Sequence, residues 1–207
     1  NRIGEYGGRV LYLPQEQRWE AASLTIIGSL SQLIITLLMG MGGLLFLLTN
    51  EKLSAITHSY SIWLRVLLFG TALVHLLLML LYFRLGWMLN WVERIPRLPR
   101  FFRHLAIIEK IPVINLLRVL LLSGLRYTIF VIQYTLVLQL FNVEITIAES
   151  VWLMAVLYLV LAIIPSIALA EIGIRGNVSL LLFGMLSTNK EGILFAAGTI
   201  WFINLVL

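Results

Sequence analysis

The sequence predicts an all-α fold, a polytopic integral membrane helical bundle with broken or re-entrant helices. Three observations predict it. Of the 207 residues, 60% are hydrophobic and only 12% charged, where a soluble domain is about a quarter charged. Mean hydropathy is +0.98, and apolar runs of roughly the 20 residues that a helix needs to cross the hydrocarbon core recur along the chain. The last third also interrupts its apolar sequence with PSIALAEIGIRGN, in which a carboxylate, a guanidinium and two glycines fall within six residues.

The elements follow in order. Residues 1–20 carry Arg2, Glu5, Arg9, Glu16, Arg18 and Glu20 and are too polar to span. A first span is predicted over about 22–48, free of charge. Its small and polar stripe Ser29, Gln32, Thr36, Gly40 and Gly43 advances in steps of three or four, so it shares one helical face and reads as a packing seam. A second span covers about 62–83, with Arg65 near one end and His75 inside. Residues 84–112 form a basic interfacial linker whose Trp87, Trp91, Phe101 and Phe102 suit the headgroup layer. Pro96, Pro99 and Pro112 divide it into short pieces. A third span covers about 119–141 and a fourth about 151–170. Residues 177–187 are too short to cross alone and are predicted to form a re-entrant or half helix. A polar turn, STNKEG, then leads into a truncated span over 193–207. The whole of 1–207 reads as one transmembrane domain. Because it opens on Asn1 rather than Met and closes inside GTIWFINLVL, a fragment lacking N-terminal helices is expected.

Charge sets the expected orientation. The net charge is +5, which in a membrane protein reports loop placement rather than nucleic-acid binding. Residues 84–112 hold Arg84, Arg94, Arg97, Arg100, Arg103 and Lys110 against Glu93 and Glu109, and are predicted to be cytoplasmic. Residues 1–20, two spans earlier, share that side. The opposite loops, 49–61 and 142–150, carry Lys52 alone and no basic residue respectively.

No catalytic constellation is visible. The absence of cysteine excludes disulfides, thiolate metal sites and cysteine nucleophiles. His75 stands alone and reads as structural, His58 and His104 fall in loops, and no metal-ligand spacing occurs. There is no GxSxG, P-loop or dinucleotide fingerprint, and Ser123 and Ser166 have no evident base. The expectation is therefore no enzymatic activity in this chain, no metal and no cofactor, with a separate catalytic domain outside the fragment left open.

The candidate site lies around Glu171 and Arg175, four apart with the acid first, the favoured order for a helical ion pair. Charge at bilayer depth is costly and marks function or a buried pair. Pro165, Gly173 and Gly176 are read as helix breaks here, as such interruptions at depth line protein-packed or wet regions. Asn177 is read as the N-cap of the following short helix, whose free amides beside Arg175 would suit a phosphate. The competing reading is a cytoplasmic turn with a surface ion pair. In the third span Arg126 and Gln133, seven apart, fall near one face, and Glu171 is the expected partner of Arg126.

Two segments resemble a known family. NRIGEYGGR is similar to the GR-[IV]-GE motif of the lysylphosphatidylglycerol synthase transmembrane region, the flippase-like domain family. PSIALAEIGIRGN resembles its later P…E-x-G-x-R motif. With LRYTIFVIQY upstream and GTIWFINLVL downstream, the chain looks like a branch common in Bacteroidetes membrane proteins. The resemblance covers essentially all of the chain, as the C-terminal two-thirds of such a domain. It departs at Asn1, where the family often has Gly, and at Pro165-Ser166-Ile167, where Pro-Gly-Gly is frequent. The resemblance implies a bacterial inner-membrane protein with re-entrant segments that translocates aminoacylated phospholipid or a related carrier. The matching positions are Arg2, Gly4, Glu5, Glu171, Gly173 and Arg175.

The leading functional expectation is an integral membrane lipid flippase or lipid-handling transporter for a phospholipid or polyprenyl-linked lipid. Arg2, Glu5, Arg126, Gln133, Glu171 and Arg175 would meet the headgroup, with Gly4, Pro165, Gly173, Gly176 and Asn177 shaping the backbone. Its partners would be anionic or aminoacylated phospholipid or a lipid-phosphate carrier, with no nucleic acid and room for a homo-oligomer. The alternative is a membrane scaffold or partner subunit of an envelope lipid-modifying enzyme, and an integral-membrane transferase comes third.

Overall fold

Caps, prolines and apolar runs divide the chain into helices, and the computed structural model describes residues 15–83, 112–164 and 168–206 of it. Seven α-helices occur among the described residues: α1 Gln15–Thr49, α2 Glu51–Thr57, α3 Ser61–Phe83, α4 Val113–Leu140, α5 Ile147–Ile163, α6 Ala168–Phe183 and α7 Lys190–Val206. A 3-10 turn, His58–Tyr60, joins α2 to α3. The described residues contain no strand, and the fold is all-α. Among the described residues three segments are long and apolar enough to cross a membrane: Leu24–Thr49, His58–Phe83 and Val113–Leu140. Trp63, Phe69 and Leu73 on α3, and Leu121, Leu122 and Leu140 on α4, are exposed, the side-chain type that hydrocarbon solvates. The expected readings at 1–14 and in the linker up to 111 lie outside the described residues.

The helix ends have local causes. The amides of Asn115 and Leu116 donate to Pro112 O at 2.9 and 3.4 Å, so α4 starts just after the proline rather than at 119; proline has no N–H to leave unpaired at a helix start. It ends at Leu140, and two residues on Asn142 is left-handed, with a φ of 54°. The Val143 and Asn142 amides close back on Leu138 O and Gln139 O, both at 3.0 Å, the paired bonds of a Schellman cap. Thr146 then caps α5 reciprocally with Glu149, because T-x-x-E places each side chain on the other's amide. Helix α5 ends at Ile163, and Ile164 is extended, as the residue before a proline prefers.

Two sequence expectations are corrected here. The predicted half helix at 177–187 is the second part of α6, which begins at Ala168 and runs unbroken through Gly173, Gly176 and Asn177. A glycine inside a helix costs about 1 kcal/mol relative to alanine without breaking it. Asn177 is therefore not an N-cap; its Nδ2 donates to Gly173 O at 2.9 Å, within the same helix. The asparagine that does cap is Asn189, whose Oδ1 accepts from Gly192 N at 2.9 Å at the start of α7. Its Nδ2 also donates to Phe141 O at 3.0 Å and to Asn142 O at 3.1 Å.

The chain falls into two compact units, Asn1–Ile35 with Val74–Leu125, and Thr36–Leu73 with Arg126–Leu207. In the first, Ile27, Ile34, Tyr82 and Leu116 form the buried core. The Tyr82 hydroxyl joins the three helices there: it lies 2.7 Å from Ser31 Oγ and donates to Leu116 O at 2.9 Å. In the second, α5 is buried on several sides, with Leu153, Met154, Ala155, Leu157 and Leu159 inaccessible. Helix α1 approaches it along part of the expected seam. A Cβ at Gly43 would lie 2.6 Å from Trp152 O, and one at Gly40 would lie 2.8 Å from Leu159 Cβ. Only glycine permits backbones this close. Helix α6 packs against both α5 and α7.

Candidate functional site

The second unit carries a buried charge in the middle of α6. Arg175 is only 6% exposed. Its Nη2 donates to Glu171 Oε1 at 2.8 Å across one helical turn, and the Glu171 side chain keeps 32% of its surface. The two groups thus differ: the guanidinium is inside the helix layer and the carboxylate stands at its margin, in the first turn of α6, where the helix dipole favours negative charge. The surface-turn reading of this pair does not describe Arg175.

Two tyrosines, Tyr134 and Tyr158, lie near it, and a third packs on Tyr158. On α4, Tyr127, Val131, Tyr134 and Leu138 form one buried stripe. Tyr127 meets Tyr158 of α5 edge to face at 5.7 Å, and Tyr134 lies 5.8 Å from Phe183 of α6. The Tyr134 hydroxyl shares a 2.8 Å hydrogen bond with Ser179, one turn after Arg175. The Arg175 guanidinium acts electrostatically on both Tyr134 and Tyr158. Yet among the described residues Arg175 Nε and Nη1, the Tyr158 hydroxyl and the Tyr127 hydroxyl are buried without a hydrogen bond of regular geometry.

The other residues that the sequence singles out distribute differently. Arg126 is not the partner of Glu171, which Arg175 occupies; it is exposed, with its guanidinium 5.3 Å from the centroid of the Phe130 ring, a cation–π distance. Gln133 is half-buried. Gly173 is exposed, while Gly176 is buried, and a Cβ there would meet Leu194 of α7 at 3.4 Å. Arg2, Gly4, Glu5 and Pro165 lie outside the described residues. Tyr127, Tyr134, Tyr158 and Ser179 escape a reading of the sequence alone. The signals that point to them are the seven-residue spacing of the two α4 tyrosines and a serine four residues after Arg175.

A second charged cluster sits away from the apolar runs. Lys52 Nζ donates to Glu149 Oε1 at 2.9 Å, and Glu149 Oε2 accepts from the Thr146 hydroxyl at 2.7 Å and amide at 3.1 Å. These bonds, that from Lys52 foremost and those from Thr146 next, hold the Glu149 carboxyl down at about 2 against an ordinary 4.5. The pair ties the segment after α1 to the start of α5. No group of three His, Cys, Asp or Glu residues able to hold a metal occurs among the described residues. Comparison with known proteins adds no relative: no family model, curated protein or solved structure matches the chain.

Proposed function

We propose that this chain is a lipid-handling transporter of the flippase-like kind its motifs resemble, moving a phospholipid or polyprenyl-linked lipid between leaflets of a bacterial inner membrane. In this reading residues 1–20 and 84–112 face the cytoplasm, the chain carries out no chemistry of its own, and any catalytic step belongs to a separate domain. One observation carries it: a guanidinium buried beside helices of membrane-spanning character, only partly satisfied by its carboxylate. A charge in that position is costly unless it is paired or used, and Arg175 has bonding capacity left after Glu171 is counted. Arg175 is then the headgroup-phosphate residue and Glu171 its counter-ion, while Arg126 faces outward and is no part of the clamp.

The test is lipid movement in proteoliposomes. Arg175→Ala combined with Glu171→Ala should abolish transfer of labelled lipid across the bilayer. Transfer at the wild-type rate by this double variant would sink the reading. The scaffold alternative draws on the regular 2.8 Å pair and the glycine seam of α1, both of which suit pure packing. It predicts that the double variant lowers thermal stability while lipid movement, if any, stays the same.

A further inference from the structure

Five buried side-chain atoms lack a hydrogen bond of regular geometry among the described residues, and four of them fall on three neighbouring side chains of the second unit: Arg175 Nε and Nη1 and the hydroxyls of Tyr127 and Tyr158. Folded proteins pair nearly all such groups, so four together call for an explanation. Tyr134 shows that the surroundings can satisfy a hydroxyl, since Ser179 lies 2.8 Å from it. Arg175 is 6% exposed and Tyr127 likewise 6%, so bulk water is not their solvent. The Tyr158 oxygen is placed to accept from Arg175, but the N–H and O–H donors of the cluster outnumber its acceptors among the described residues. A guanidinium offers five N–H donors and no acceptor, and Glu171 Oε1 meets only Nη2.

The donors come from three different helices, α4, α5 and α6. A planar carboxylate presents two oxygens in one plane, whereas a tetrahedral oxyanion presents oxygens in several directions, which suits donors carried by three separate helices. Arginine is also the side chain best fitted to phosphate. We propose that Arg175 and the Tyr158 and Tyr127 hydroxyls form a binding site for a tetrahedral phosphate oxyanion, with Glu171 as its internal competitor. The lipid-handling reading supplies one source of that phosphate, a lipid headgroup, and to that extent the site rests on it; free phosphate is the other source.

Calorimetric titration of the purified chain in maltoside micelles, which bring no phosphate, separates these cases. The probes are inorganic phosphate and dihexanoylphosphatidylglycerol. The wild type should bind at least one of them. Tyr158→Phe and Tyr127→Phe should each weaken binding about tenfold, the size of one hydrogen bond to a charged group. The Tyr127→Phe midpoint should hold, because among the described residues its hydroxyl has no hydrogen bond to lose, and Tyr158→Phe should lose no more than its approach to Arg175. Glu171→Gln should bind more tightly, as the competitor is gone. Tight lipid with weak phosphate assigns the site to headgroups, and equal affinities assign it to phosphate from any source; both support it. Absence of binding to either probe, or affinities unchanged in Tyr158→Phe and Glu171→Gln, overturns it. The transporter reading fails separately: phosphate binding that follows these variants, beside lipid transfer that ignores them, keeps the site and rejects the transport role.

Discussion

At Glu149 three hydrogen bonds meet on one carboxylate, and their effect has a sign. A carboxyl held at about 2 in the folded chain, against an ordinary 4.5, stabilises the fold fully above about 4.5. That stabilisation is lost as pH falls through the window down to about 2. Glu149→Gln should therefore lower the thermal midpoint at neutral pH, and its deficit relative to wild type should close as the pH is lowered through this window; a deficit independent of pH would disprove the linkage. Lys52 is 69% exposed, so salt screens its share. At the same scale lies the reason that the site is only half legible in the sequence. Glu171 and Arg175 stand out because charge inside an apolar run is rare. Arg126 and Gln133 share a seven-residue spacing, and that spacing is right, but the buried face holds Tyr127 and Tyr134, one residue further on. Periodicity fixes the step of a helix and leaves its rotation open. One residue turns the face by about 100°, enough to exchange a buried tyrosine for an exposed arginine.

Among the elements, α1 and α6 show what glycine does in helices. Gly43 faces Trp152 O at a distance no Cβ tolerates, whereas Gly28 in the same helix has nothing within 4 Å of its Cβ position. Gly43→Ala should destabilise by about 1–3 kcal/mol through overpacking. Gly28→Ala should be neutral or stabilise by up to about 1 kcal/mol through helix propensity. Equal thermal midpoints for the two variants would show that the α1–α5 approach is not tight. The stripe on α1 is readable because small residues at three- and four-residue steps have one main use. Helix α6 is not, because a search for spans follows apolar runs, and Glu171, Arg175 and two glycines cut this one into pieces. Its continuity comes from neighbours on both sides, α5 and α7, which no local pattern encodes. The capping box at Thr146 and Glu149 is written in the sequence and marks the true start of α5, ahead of the apolar run by which a span is found.

For the whole molecule, composition alone identifies a helical membrane protein, since burial of so much apolar surface without charge leaves few other solvents. The ends of the helices in the second unit are more informative than composition. Lys52 bonds to Glu149, and Asn189 bonds to Phe141 and Asn142, so the segments around 52, 142–149 and 189 lie at one end. The chain has no cysteine, and single-cysteine variants at His58, Glu144 and Thr188 should all react with an impermeant maleimide added to the same side of the membrane. Labelling of Thr188→Cys from the opposite side alone would contradict the way α6 returns beside α5. That return has a mechanical consequence. With 17 and 16 residues, α5 and α6 are about 25 and 24 Å long, against a hydrocarbon core of about 30 Å. Thinning of the bilayer is one way in which a membrane accommodates short helices. Under the lipid-transport proposal, such thinning beside Arg175 would shorten the apolar distance a headgroup must travel before any side chain moves.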